Sequence, residues 1–106
     1  MSIPRAIEGA RYTGVSLTWQ DEDGNAQDLT GFTLSGTIKD KDGTSTAIAG
    51  TLTPDADQST NPGLFAWAFA AADIATPGRY TVQFKKTQSG QYDLSFPEAW
   101  VVEPAQ

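Results

Sequence analysis

One phrase occurs nearly twice in the first half of the chain. Val15-Ser16-Leu17-Thr18-Trp19 runs into Asp21-Glu22-Asp23-Gly24, and Phe32-Thr33-Leu34-Ser35-Gly36-Thr37-Ile38 runs into Asp40-Lys41-Asp42-Gly43. Each is an alternation of apolar and polar residues closed by an acidic turn that ends in glycine. A period of two puts the apolar set on one face of an extended strand, and no helical repeat of 3.6 accommodates it. The duplicated phrase therefore implies an all-β domain whose loops, not its core, carry the charge.

Turn signals recur about every ten residues, the spacing of a sandwich or barrel. They are Asp23-Gly24, Asp42-Gly43, Asn61-Pro62-Gly63, Pro77-Gly78 and Ser89-Gly90. Between them the pattern predicts strands over Arg11–Gln20, Thr30–Lys39, Thr46–Thr53, Gly63–Phe69, Arg79–Thr87, Gln91–Phe96 and Ala99–Glu103. The inward sets are Val15, Leu17 and Trp19; Phe32, Leu34 and Ile38; Ile48 and Leu52; Phe65, Trp67 and Phe69; and Tyr80, Val82 and Phe84. Gly36 shares the inward face of its strand, so a bulky group of the opposite sheet is expected against it. Pro97 cannot donate to a ladder and marks a break, bulge or edge. Ala70–Ala75 is alanine-rich and suits one helical turn at a crossover between sheets, being too short for an independent helix.

The chain has 106 residues, which predicts one domain, 1–106, with residues 1–8 and 104–106 loose. It has no cysteine, so disulfides, thiolate nucleophiles and Cys-ligated zinc are excluded. It has no histidine, which removes the usual general base, the histidine-dependent triads and the commonest transition-metal ligand. The N-terminus lacks an apolar run long enough for a signal peptide, so cytoplasmic synthesis is expected. The formal net charge of −6 argues against nucleic acid or an anionic membrane as a partner. Lys85-Lys86 is the one adjacent basic pair, read as a solvated strand end.

Three constellations invite a chemical reading. Asp21, Asp23, Asp40 and Asp42 place oxygen ligands at alternate turn positions, as calcium requires, but neither turn has the distal glutamate of an EF-hand loop. Turn chemistry explains the same residues: an Asp side chain bonds backbone two residues on, and Gly supplies the positive φ. We take the turns as hairpin punctuation, with calcium the alternative. The paired carboxylates sit in solvated turns with no material for a cleft, so no enzyme and no cofactor is expected. Of the tryptophans, Trp19 and Trp67 are in register with core residues. Trp100 follows a Pro-Glu-Ala break and is the aromatic expected to be partly exposed, where it would stack on a ligand. Tyr80, opening a strand after the crossover, matches the tyrosine corner of immunoglobulin-like sandwiches and is read as a fold lock.

Asp21-Glu22-Asp23-Gly24-Asn25-Ala26-Gln27-Asp28-Leu29-Thr30-Gly31-Phe32-Thr33-Leu34 resembles the DG-x-x-x-DLTG-x-T phrase of phage and prophage tail modules. These are the immunoglobulin-like domain at the N-terminus of phage baseplate upper proteins and its short stand-alone relatives. Ile38–Gly43 looks like the family's second strand and turn, and Gly63-Leu64-Phe65-Ala66-Trp67 like its GxFxW/F strand. Ala71-Ala72-Asp73-Ile74 with Gly78-Arg79-Tyr80-Thr81-Val82-Gln83-Phe84 looks like its aaD…G-x-Y-x-v-x-F strand. The likeness runs from Thr13 to Val102. It implies an immunoglobulin-like antiparallel β-sandwich of about seven strands. It further implies a non-catalytic structural module of a virion tail or baseplate, assembling with itself or with other tail proteins. No active site comes with the family, and the fibre or receptor-binding extension of longer relatives is not expected here. The alternative function is a glycan-binding sandwich that uses Trp100, with calcium in the Asp turns.

Overall fold

The computed structural model describes residues 3–10, 14–95 and 97–106. Nine strands occur in it: β1 (Ala6–Ile7), β2 (Val15–Thr18), β3 (Thr33–Lys39), β4 (Ser45–Ala47), β5 (Thr51–Pro54), β6 (Leu64–Ala68), β7 (Gly78–Gln88), β8 (Gln91–Leu94) and β9 (Glu98–Glu103). A larger sheet has the order β1-β9-β7-β3-β4, with β8 also paired to β7. A smaller one has the order β2-β6-β5. The two pack as a β-sandwich, as the alternation demands. Pairing is antiparallel throughout except for β1, which lies parallel to β9 through Ala6↔Val102 and Ile7↔Glu103. Residues 1–8 are thus not all loose: Ala6 is buried beside Ile3, and the segment forms an edge of the larger sheet.

β6 and β7 make the centre because their inward rows are the bulkiest. Phe65, Trp67 and Phe69 are buried while Ala66 and Ala68 face out, so β6 gives the core a wall of rings. Trp67 lies 4.8 Å from Trp100, 4.9 Å from Phe69 and 5.9 Å from Phe84, between ring centroids. Tilted and edge-on pairs of this kind add to the area they bury. Trp100 is 1% exposed, a correction to its expected exposure. Its indole N–H has no acceptor among the described residues.

The predicted strand Thr46–Thr53 is two strands in different sheets, β4 on β3 and β5 on β6. Ala49-Gly50 carries the chain across. A Cβ on Gly50 would meet the Ala68 carbonyl oxygen at 2.2 Å, so only glycine fits that passage. The neighbours of Gly36 also differ from expectation. A Cβ there would meet Ile48 Cδ1 at 2.7 Å and Phe84 Cδ1 at 3.3 Å, both groups of its own sheet edge and its own sheet. The Ala-rich segment forms one 3-10 turn over Ala71–Ile74, between β6 of the small sheet and β7 of the large. Tyr80 donates its hydroxyl proton to the Thr76 carbonyl at 2.6 Å, which locks that crossover as a tyrosine corner does. Burial, reinforced by the Asp40 charge, raises the Tyr80 phenol above its ordinary pKa.

β8 and β9 lie end to end along the same side of β7. Leu94 is opposite Lys85, and Glu98 is opposite Val82. Three residues, 95–97, therefore span what two span on β7, which is a β-bulge. Ser95 spans the gap: its N–H donates to the Phe84 carbonyl, and its Oγ accepts from the Phe84 N–H. The break expected at Pro97 is this bulge. The predicted strand ends Arg11–Thr13 and Phe96 lie outside the described residues.

Candidate functional site

The two acidic turns have one geometry. Asp21 Oδ1 accepts from the Asp23 and Asn25 N–H groups, both at 2.9 Å. Asp40 Oδ1 accepts from Asp42 and Thr44 at the same distances. In each turn the glycine N–H donates back to the first Asp carbonyl, with Gly24 at φ +83° and Gly43 at φ +88°. The Asp21 carboxyl is held below its ordinary pKa chiefly by the Asn25 N–H, which outweighs an opposing desolvation, with the Asp23 N–H adding a smaller lowering. These carboxylates serve their own backbone. The fold does not bring Asp21, Asp23, Asp40 and Asp42 together: among the described residues no three His, Cys, Asp or Glu side chains are grouped so as to hold a metal ion.

Punctuation by the first turn is more local than the sequence suggests. It closes only the bridge Gln20↔Ala26. The strands on either side of it, β2 and β3, belong to different sheets. The chain then enters Asp28-Leu29-Thr30-Gly31, a turn in which Asp28 Oδ1 accepts from Thr30 N–H and hydroxyl, lowering its pKa through the hydroxyl first. Leu29 is buried, and Gly31 takes φ +78°.

Two buried polar side chains were not legible as such. Gln58 Oε1 accepts from Leu29 and Gly63 N–H, while its Nε2 donates to the Asp55 and Leu64 carbonyls. All four partners are backbone, so Gln58 joins the loop before β3 to the loop before β6. Asp73 accepts from Ala49, Gly50 and Ala70 N–H and from Trp67 Nε1. It fastens the sheet-switching segment to the crossover and the core.

Among the described residues, the large apolar ones that face solvent lie on one surface. Lys85 and Thr87 alternate with buried Phe84 and Lys86, so they face outward, and their partners Leu94 and Tyr92 share that outer face. Tyr92 is 60% exposed and Leu94 52%. The Lys85 ammonium lies 4.3 Å from the Tyr92 ring centroid. Ile7, the third large exposed apolar residue, is opposite Glu103 on the same face. The side of β8 away from β7 pairs with no described strand. Trp100, the expected stacking residue, points the other way into the core.

The bulge produces this arrangement. Tyr92, Leu94, Trp100 and Val102 are all even-numbered, and an uninterrupted strand would put them on one face. With the extra residue, Tyr92 and Leu94 face out while Trp100 and Val102 face in.

In sequence comparisons the chain matches no protein-family model and no curated protein.

Proposed function

We propose that the protein is a non-catalytic assembly module of a phage or prophage tail or baseplate, joining itself or a neighbouring virion protein through the outer face and free edge of β8. The observation that supports this is the register slip at residues 95–97, which holds Tyr92 and Leu94 in solvent although the core periodicity runs straight through them. An unpaired strand edge offers backbone N–H and C=O groups to an added strand, and flanking side chains give that addition selectivity. The tail assignment rests on the Asp28-Leu29-Thr30-Gly31 phrase and the strand phrases around it. The groups a catalytic reading would use, the paired turn carboxylates, are committed to backbone hydrogen bonds at Asp21 and Asp40.

The test is co-expression with the products of the adjacent genes, followed by size-exclusion chromatography with light scattering. A defined homo-oligomer or a stoichiometric complex is expected, and Tyr92→Asp with Leu94→Asp abolishes it while leaving the fold intact. A protein that stays monomeric and joins none of those products overturns the proposal.

A further inference from the structure

Lys86 occupies the inward row of β7 behind Val82 and Phe84, and it is only 6% exposed. This corrects the expectation of a solvated strand end for Lys85-Lys86. Its ammonium lies 4.8 Å from the Phe32 ring centroid and 5.4 Å from that of Trp19. It makes no ion pair or hydrogen bond with a described residue. Two ring faces offset only part of the cost of taking an ammonium out of water. A depression of about 240 Å³ opens beside it, walled by Trp19, Asp21, Glu22, Asp93 and Leu94. Asp93 is the cross-strand partner of Lys86. Asp21 is already engaged by backbone and by Gln27, but Asp93 has no hydrogen bond among the described residues.

The charges select the occupant. Three carboxylates against one ammonium repel an anion, while the ammonium at the floor keeps a cation out at the rim. A ligand that fills the depression must accept hydrogen bonds at the floor, donate them at the rim and bring no positive charge against the ammonium. Hydroxyl groups do both, since each is one donor and two acceptors. The volume falls below the roughly 300 Å³ at which drug-sized sites begin, so the ligand is small. We propose that this depression binds a neutral polyhydroxylated ligand, a single sugar ring, through the Lys86 ammonium and the Asp93 carboxylate, with Trp19 as its apolar wall. The site does not depend on the assembly role, and of the outward residues of β8 only Leu94 borders it.

The full chain, labelled with nitrogen-15, is titrated with glucose, galactose and N-acetylglucosamine, and separately with sodium acetate and glycine. At least one sugar is expected to shift the amide signals of residues 19–22, 86 and 93–95, with a Kd in the millimolar range typical of a small site. Asp93→Asn, at an exposed position where folding is not at stake, is expected to weaken that binding about tenfold by removing a charge-assisted hydrogen bond. Lys86→Met abolishes it, with circular dichroism checking the fold. The proposal is overturned if no sugar in the panel shifts these signals, if acetate or glycine shifts them more strongly, or if Asp93→Asn binds as well as the parent.

Discussion

Asp73 is a buried carboxylate with no ion pair among the described residues, held by four N–H donors at 2.8, 2.9, 3.0 and 3.2 Å. Removing it strands those donors, and hydrogen bonds to charged groups are the costly ones to lose. Asp73→Ala is expected to lower stability by about 3 kcal/mol in urea titration, among the largest effects of any single change here. A loss below about 1 kcal/mol would mean that water replaces the carboxylate without penalty. Trp67→Phe removes one donor and leaves the carboxylate three, so it is expected to cost less. Neither Asp73 nor Gln58 was legible in the sequence. The Ala49 and Gly50 donors are 24 and 23 residues from Asp73, and the Leu29 donor is 29 residues from Gln58. A local pattern holds no record of such pairs. The Tyr80 hydroxyl bond reaches back only four residues, and there the sequence sufficed.

Whole strands were legible where the inward row is bulky. Phe65-Ala66-Trp67 and Val82-Gln83-Phe84 read directly as β6 and β7 because bulky apolar residues alternate with small or polar ones without interruption. Thr46–Thr53 misled for the opposite reason. Ile48 and Leu52 are its only large apolar residues, and the same weak alternation suits one strand or two. What separates β4 from β5 is Gly50, wedged between the Ala68 carbonyl and an Asp73 oxygen that a Cβ would approach to 2.6 Å. Gly50→Ala is accordingly expected to destabilise the protein by more than about 2 kcal/mol, since backbone cannot yield as a side chain does. Equal thermal midpoints for parent and variant would show that the crossing relaxes freely. Gly36→Ala provides the contrast. Its tightest contact is the tip of Ile48, which can rotate away, and its nearest backbone atom, the Gln83 carbonyl oxygen, stands at 3.0 Å against 2.2 Å for Ala68 at Gly50, so a smaller loss is expected. The repeated acidic phrase kept its promise at the level of the turn, giving one hydrogen-bond pattern twice. Only the second turn closes a hairpin of two named strands, β3 and β4.

Across the molecule, several of the aspartates lie in turns and bond groups of their own turn. Asp21, Asp28 and Asp57 all have pKa values below the ordinary 3.8 of aspartate, Asp57 through the Ser59 hydroxyl first and the Thr60 N–H next. A group whose folded pKa is depressed contributes stability above its unfolded value and loses it as pH falls through the folded one. The denaturation midpoint is therefore expected to stay level from neutral pH to near 4, then to fall on further acidification, less steeply in an Asp21→Asn, Asp57→Asn double variant. A decline already under way well above that range would assign the acid sensitivity to other groups. Tyr80 has the opposite sign: its raised pKa means that its contribution is complete below the unfolded value and is lost as pH rises through the folded one. The bulge at residues 95–97 bears on how such a molecule changes over time. Its outward and inward residues on β8 and β9 are assigned by chain length, not by residue type. Losing one residue there would rotate Tyr92 and Leu94 inward with no substitution at all, exchanging a wet surface for a buried one in a single genetic step. A surface held this way is abolished or recovered by insertion and deletion, while the core residues that define the sandwich stay the same.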